Sequence, residues 1–339
     1  MLHGSEQPKR GSRAPDRQSA KGTDMTTQST MKAIRLEAFG GPEQLRYEEV
    51  PRPEPAAGEA LIRIHATSAN PIEWLIRSGV MQQIMPVQLP YTPGSDLAGV
   101  VESVGEGVTA LQVGQEVYGT MDSMHGGTYA EYIAVPVAQL ALKPKTLDFA
   151  QAASIPVVAL TSWQSLFEKA GLTAGQSVLI HGGAGGVGMF AVQFARWKGA
   201  HVIATASAKD LEFVRSLGAA EVIDYRGERF EEKVSNLDVV LDLIGGETQQ
   251  RSWQTLKPGG ILVSTTAPPS EAEAAKHGVR GTMMEMHPSS DLLTEIAGLI
   301  DSGQVQTLVG ATFPLEQAGQ AQEANRTGHI RGKIVIQVA

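Results

Sequence analysis

Between residues 31 and 156 apolar and polar positions alternate in short runs broken by Gly, Pro and Asp, the pattern of strands that bury one face. Segments 32–39, 60–66, 98–104, 116–120 and 129–135 each predict a strand. In Leu61-Ile62-Arg63-Ile64-His65-Ala66 the near-alternation is that of a half-buried strand. From residue 157 to about 288 the pattern changes. Apolar runs such as Val239-Val240-Leu241 and Ile261-Leu262-Val263 alternate with helical spacing, as over 211–217, which predicts an α/β unit around a parallel sheet. Lys257-Pro258-Gly259-Gly260 reads as a turn between helix and strand. A helix from Asp291 through Ile300, a turn at Gly303 and a last strand over 333–338 resemble the first region more than the middle one. The division expected is a tail over 1–30, one unit made of 31–156 and 289–339, and a second over 157–288.

One stretch of the middle region carries recognisable chemistry. Gly183, Gly185 and Gly188 satisfy G-x-G-x-x-G, a weak signal by itself in a chain with 37 glycines. Its surroundings strengthen it. The turn follows the apolar run Ser177-Val178-Leu179-Ile180 and precedes a helix over 189–198, with Phe190, Val192, Phe194 and Ala195 at helical spacing; a second apolar run covers 201–206. This order suits a dinucleotide pyrophosphate, because glycines admit the phosphates close to the backbone and a helix N-terminus offers N–H groups and the positive end of its dipole. NAD sites place an acidic residue about 20 residues past the glycines, at the end of the second strand. Here that strand ends Thr205-Ala206-Ser207, followed by Ala208 and Lys209. Small residues leave room for a 2′-phosphate, Ser207 offers a hydroxyl and Lys209 a charge, so NADP(H) is the expected cofactor. Asp210 reads either as a displaced ribose acceptor or as a helix N-terminal charge.

Composition narrows the remaining classes. At 339 residues, with 42% hydrophobic and 19% charged positions, the chain has the length of about two globular domains. No apolar run approaches the roughly 18 residues that cross a bilayer. Residues 1–30 are polar and without an apolar core, which predicts disorder and no secretory signal. Arg10, Arg13 and Arg17 would suit a transit peptide, whereas Glu6, Asp16 and Asp24 oppose one; an extended or alternative start ahead of Met31 accounts for the segment equally well. A cytoplasmic protein is expected. A net charge of −8 disfavours a general nucleic-acid surface. The absence of Cys removes disulfides, thiol catalysis and thiolate metal sites.

Several separate blocks resemble, in order and spacing, the zinc-independent quinone oxidoreductases (zeta-crystallin-like) of the medium-chain dehydrogenase/reductase superfamily. They are Asn70-Pro71-Ile72-Glu73, the run from Pro90-Tyr91 to Asp96-Leu97-Ala98-Gly99, Gly126-Gly127-Thr128-Tyr129-Ala130-Glu131-Tyr132, the glycine turn, and Val222-Ile223-Asp224-Tyr225-Arg226. The resemblance implies a GroES-like β-barrel catalytic domain, completed by the C-terminal residues, around an inserted Rossmann domain with a doubly wound parallel sheet. It also implies an active site in the cleft between them and a homodimer. Zinc-dependent members bind metal through Cys and His; here the corresponding blocks read Ser68-Ala69-Asn70-Pro71 and Gly94-Ser95-Asp96, and none of the eight His forms an H-x-x-x-H pair. No metal site is therefore expected. Without a Lewis acid, a quinone or α,β-unsaturated carbonyl is the better hydride acceptor, since it delocalises the incoming charge onto a distant oxygen.

By the same resemblance, Gly182, Ala184, Gly185, Gly186, Val187 and Gly188 would cradle the pyrophosphate, and Ser207, Lys209 and Tyr225 would meet the 2′-phosphate and adenosine. Val263, Ser264 and Thr265, with Met283, would line the ribose and nicotinamide. Thr161, at the start of the helix joining the domains, would either reach the nicotinamide or cap that helix. Asn70 would stand beside the substrate or close a turn before Pro71. Tyr91 or solvent would supply the proton; no residue stands out as the general acid, because the position that carries Tyr in several relatives falls on Leu75. Glu73 reads either as an acid for that step or, more simply, as an exposed carboxylate paired with Arg77. Two other readings compete. One is an NADPH-binding regulatory or RNA-binding protein; the other, a short-chain dehydrogenase, needs Tyr-x-x-x-Lys, which none of the six Tyr supplies.

Overall fold

The computed structural model describes residues 1, 3, 4, 29–328 and 330–339. The disorder expected for the tail falls almost wholly outside the described residues, although Thr30 already belongs to a strand.

In chain order the first strands are β1 (Thr30–Leu36), β2 (Leu45–Pro51), β3 (Glu59–Ala69), β4 (Asp96–Val104), β5 (Glu116–Thr120), β6 (Tyr132–Pro136) and β7 (Leu140–Leu142), with helix α1 (Pro71–Ser78) after β3. Two helices, α2 (Phe149–Ala153) and α3 (Pro156–Trp163), and a π-helical segment (Gln164–Lys169) lead to β8 (Ser177–Ile180). There follow α4 (Gly186–Trp197), β9 (His201–Ala206), α5 (Leu211–Ser216), β10 (Glu221–Asp224), β11 (Leu237–Asp242), α6 (Gly246–Ser252), β12 (Leu256–Ser264), α7 (Glu271–His277) and β13 (Arg280–Met283). The chain ends with α8 (Ser290–Asp301), β14 (Val309–Pro314), α9 (Ala318–Thr327) and β15 (Lys333–Gln337).

A seven-stranded sheet runs β14-β15-β3-β4-β5-β7, with β6 also on β3. It joins the two ends of the chain: β15 lies antiparallel to β3, pairing Ile334 with Ala69 and Gln337 with Ala66. Ile62, Ile64, Leu97, Val101, Val117, Ile133 and Leu140 fill its interior. In β3 the apolar Leu61, Ile62, Ile64 and Ala66 are buried while Arg63 and His65 are half-buried, as the alternation requires. The second sheet has six parallel strands in the order β10-β9-β8-β11-β12-β13. Counted along the chain this is 3-2-1-4-5-6, the doubly wound order whose switch point lies between its first and fourth strands. Apolar cores cover both faces, Val178, Ile180, Phe190 and Phe194 on one, and Leu179, Val240, Leu262 and Trp253 on the other. Hence its strands read as continuous apolar runs.

Local differences from the sequence pattern have local causes. Tyr129 and Ala130 form an isolated bridge region against β1, and the regular strand starts only at Tyr132. Lys257-Pro258-Gly259-Gly260 is not a turn between helix and strand: β12 runs through it, with Gly259 at φ +79° and a register shift against β11 between Leu237 and Val239. A left-handed glycine inside a strand marks an irregularity of this kind as readily as a turn.

The two sheets are stitched together by polar contacts. The Asp96 carboxylate accepts the Val157 N–H at 2.7 Å at the head of α3, and the Tyr118 hydroxyl donates to the Leu293 carbonyl at 2.5 Å. Gly332 bridges Gly185, its N–H donating to the Ala184 carbonyl at 3.0 Å. That last contact lays the segment before β15 along the glycine turn. Among the described residues no helix is long and apolar enough to cross a membrane.

Candidate cofactor and substrate site

The glycine turn occupies the C-terminal end of β8, on the switch-point side. Gly182 has φ +74°, a conformation that favours glycine, and a Cβ on Gly188 would stand 2.1 Å from the Gly182 carbonyl oxygen. Glycine at 188 is thus what lets α4 start tight against the turn. Ala184, Gly185, Gly186 and Val187 are half-buried at its mouth. Gly185, the N-cap, has no side chain to satisfy the first-turn N–H groups of this 12-residue helix, which therefore face outward for an anion. A pyrophosphate fits this donor set. Across the switch point, Ile244 is 56% exposed, and its Cδ1 would lie 3.3 Å from a Cβ on Gly182. Sequence reasoning missed it, because a lone apolar residue after a strand carries no pattern.

At the neighbouring strand ends Ser207, Lys209 and Tyr225 come together. Tyr225 is 46% exposed and its N–H donates to the Ala206 carbonyl at 3.2 Å, which joins the ends of β10 and β9. The Ser207 hydroxyl donates to Asp210 at 2.7 Å. Asp210 is neither a free ribose acceptor nor merely a helix-end charge: its other oxygen receives Arg331 Nε at 2.8 Å, and Arg331 also donates to the Lys209 carbonyl at 3.0 Å. Partial burial opposes ionisation of Asp210, but the hydrogen bonds from Ser207 and Arg331 outweigh it and hold the carboxyl below its usual range. Arg331 lies over the Phe213 ring at 4.8 Å. It was not foreseen, since it stands outside the nucleotide-binding segment in sequence.

The residues expected at the ribose and nicotinamide are only partly available. Val263 belongs to the apolar core, so its main chain alone can face a ligand. The Ser264 hydroxyl is fully buried and bonds Asp242 at 3.2 Å, while Asp242 also accepts the N–H groups of Ile244 at 3.1 Å and Gly245 at 2.8 Å. A buried carboxylate therefore shapes the switch-point loop. Thr265 and Met283 are half-buried at the ends of their strands. Thr161 does not cap α3, whose N-cap is Ile155; it lies inside the helix and its hydroxyl donates back to the Val157 carbonyl at 2.6 Å.

A buried polar cluster lies at the head of α1. Asn70 is the N-cap of α1, with Pro71 at the first helical position, so it opens a helix and does not close a turn. Its amide donates to Glu73 at 3.1 Å and to Asp96 at 2.9 Å, and its carbonyl oxygen accepts from Lys333. Lys333 also donates to the Ala69 carbonyl at 3.1 Å, and its stem packs where a Cβ on Gly186 would be. Glu73 is not the exposed partner of Arg77. At the third position of α1 it reaches back to the Asn70 N–H, is 1% exposed, and burial pushes its carboxyl up to about 7, with Lys333 and the Asn70 hydrogen bonds opposing the rise. Arg77 instead pairs with Glu323. Tyr91 is 6% exposed; its hydroxyl donates to the Ser123 carbonyl, and burial raises its pKa far above the ordinary phenol. As arranged, it is a poor proton donor.

The blocks that carry metal ligands in zinc enzymes are otherwise engaged. Ser68 donates to Asp96, and Ser95 bonds Ser123 at 3.0 Å. Among the described residues, no three His, Asp or Glu side chains cluster as metal ligands.

Residues 56–145 match the model described as alcohol dehydrogenase GroES-like domain, and residues 217–336 the model described as zinc-binding dehydrogenase. The quinone oxidoreductase of Rattus norvegicus is 34% identical over 316 residues, which span 88% of this chain and 94% of that protein. The 2-methylene-furan-3-one reductase of Solanum lycopersicum is 34% identical over 328 residues, 93% of this chain and 81% of that protein. The crystal structure of the Escherichia coli quinone oxidoreductase complexed with NADPH superimposes with a TM-score of 0.83 at 28% identity, covering 91% of this chain and all of that one. The sheet that pairs β15 with β3, the 3-2-1-4-5-6 sheet and these likenesses agree: the chain belongs to the quinone oxidoreductase-like, NAD(P)H-dependent oxidoreductases of the medium-chain dehydrogenase/reductase superfamily.

Proposed function

We propose that this protein is an NADPH-dependent, zinc-independent reductase that passes hydride to a quinone or to the β-carbon of an α,β-unsaturated carbonyl. The observation that carries the cofactor choice is the pairing of Asp210. Asp210, beside the end of β9, is engaged by Ser207 and Arg331, so it does not oppose a 2′-phosphate, and the basic groups of Lys209 and Arg331 flank the same strand end. Bound NADPH would supply the hydride. The half-buried backbone of 184–187 would hold its pyrophosphate, and Tyr225 would border the adenosine. Catalysis then rests on orientation and on keeping water from the cleft.

The acceptor class follows from the side chains at the zinc-ligand positions. Serine and a hydrogen-bonded aspartate at 68, 95 and 96 offer no Lewis acid for an alkoxide, whereas a conjugated acceptor spreads the charge itself. Lys333 brings a buried positive charge beside the glycine turn, where its stem packs on Gly186, held by Asn70 and 3.5 Å from Asp96. Solvent is the proton source this arrangement favours, because Tyr91 already donates to the Ser123 carbonyl.

The test is the loss of reduced-nicotinamide absorbance when NADPH is mixed with a panel of quinones and enones. Turnover with at least one, faster with NADPH than NADH, is expected. Tight NADPH binding without turnover on any of them would leave a binding protein and overturn the catalytic reading.

A further inference from the structure

The residue that opens the glycine turn has a use that the binding motif does not require. His181 is 1% exposed, with its ring edge-on to Phe230 at 4.6 Å. Its Nε2 lies 2.9 Å from the Ser252 hydroxyl and its Nδ1 3.3 Å from the Thr205 hydroxyl. The Ser252 proton is committed to the Thr248 carbonyl at 2.7 Å, so Ser252 receives a proton from His181 Nε2. A neutral ring with Nε2–H leaves Nδ1 as an acceptor, and the Thr205 hydroxyl must donate to it. That direction turns a Thr205 lone pair toward the Gly182 N–H, which it accepts at 3.1 Å. The chain of hydrogen bonds therefore has one polarity, each group donating to the next from the Gly182 N–H through Thr205, His181 and Ser252 to the Thr248 carbonyl in α6.

We propose that His181 is a positioning residue for the dinucleotide: as the neutral Nε2–H tautomer it orients Thr205, and through Thr205 it fixes the Gly182 peptide and with it the pyrophosphate-binding turn. Gly182 is the natural point of control. It holds φ +74°, its carbonyl accepts the Gly185 N–H at 3.1 Å, and Gly183 is tied to the same Thr205 through its main-chain carbonyl at 2.8 Å. Neutrality of the ring is consistent with burial, which pushes its pKa down to about 4; Arg251 works in the same direction, against Asp242 and Glu231. The Ser and Thr on either side of the ring are fully or almost fully buried, so water does not compete for these bonds.

The proposal rests on the nucleotide reading of the turn, and the experiment separates the two. NADPH and NADH affinities of the full chain are measured calorimetrically for wild type, Thr205→Val, His181→Phe, His181→Asn and the Thr205→Val/His181→Phe pair, alongside thermal unfolding. Thr205→Val and His181→Phe should each weaken both cofactors about five- to tenfold, as loss of one buried hydrogen bond would. Both should suffer alike because the pyrophosphate is common to them. The double variant should be no weaker than the worse single one. His181→Asn, which places an acceptor oxygen where Nδ1 stands, should recover most of the affinity. In wild type, imidazole nitrogen NMR should show a neutral ring protonated at Nε2. Wild-type affinity in Thr205→Val, no recovery in His181→Asn, or a ring protonated at Nδ1 would each overturn the proposal alone. Failure of wild type to bind either cofactor would overturn the nucleotide reading, and the proposal with it.

Discussion

Arg331 and Asp210 stand 121 positions apart in the chain, yet Arg331 Nε donates to the Asp210 carboxylate at 2.8 Å, tying the segment before the last barrel strand to the nucleotide end of the parallel sheet. Removing this arginine would both delete a cation and release an acid beside the proposed 2′-phosphate site. Arg331→Ala should raise the NADPH dissociation constant by about tenfold or more, the scale of a charge-assisted hydrogen bond, and change NADH far less. Adding Asp210→Asn should recover part of the loss. Calorimetric titration of both variants with both cofactors checks this, and equal losses for NADPH and NADH would contradict it.

Lys209 follows the same strand end and should act on the phosphate more than on the turn. Lys209→Ala is expected to weaken NADPH by about 1 to 2 kcal/mol and leave NADH nearly unchanged. The ratio of the two affinities is the quantity to measure.

The buried Glu73 makes stability pH-dependent. Its carboxyl rises from 4.5 to about 7 in the folded chain, so the folded state binds this proton more tightly than the unfolded one. The resulting stability is fully present below about pH 4.5 and is lost as pH rises through about 7. Glu73→Gln cannot ionise. Between about pH 5 and 8, wild type should therefore lose stability relative to this variant, by up to about 3 kcal/mol at roughly 1.4 per pKa unit. Parallel unfolding curves across that range would contradict the raised pKa.

With Ser68, Ser95 and Asp96 engaged in hydrogen bonds, metal removal should be silent. Elemental analysis should find no stoichiometric zinc, and chelator treatment should leave NADPH oxidation unchanged. A chelator-sensitive rate restored by zinc would refute zinc independence.

What was legible in the chain was local. Gly182 to Gly188, the apolar strand before them and the amphipathic helix after them are contiguous, so backbone sterics and the helix terminus declare the strand–turn–helix unit without the rest of the molecule. Strands β3, β4 and β5 were likewise legible, because one buried face imposes its period on neighbouring residues. Elements with weak signals escaped. Edge strand β2 is charged at Arg46, Glu48 and Glu49, and α9 buries small Ala318 and Ala321, which produce no strong apolar stripe.

The site's electrostatics depended on what lies far away in sequence. Glu73 and Arg77 have the spacing of an exposed helical pair, but Asn70 takes the one and Glu323 the other once α9 packs on α1. Asp210 looks like an ambiguous acid until Arg331 arrives. Residue types and their neighbours determined the glycine turn and the lack of thiolate zinc ligands. Only the return of β15 onto β3 decided that Lys333 meets Asn70 and Arg331 meets Asp210, because strand pairing joins residues whose separation along the chain carries no local pattern.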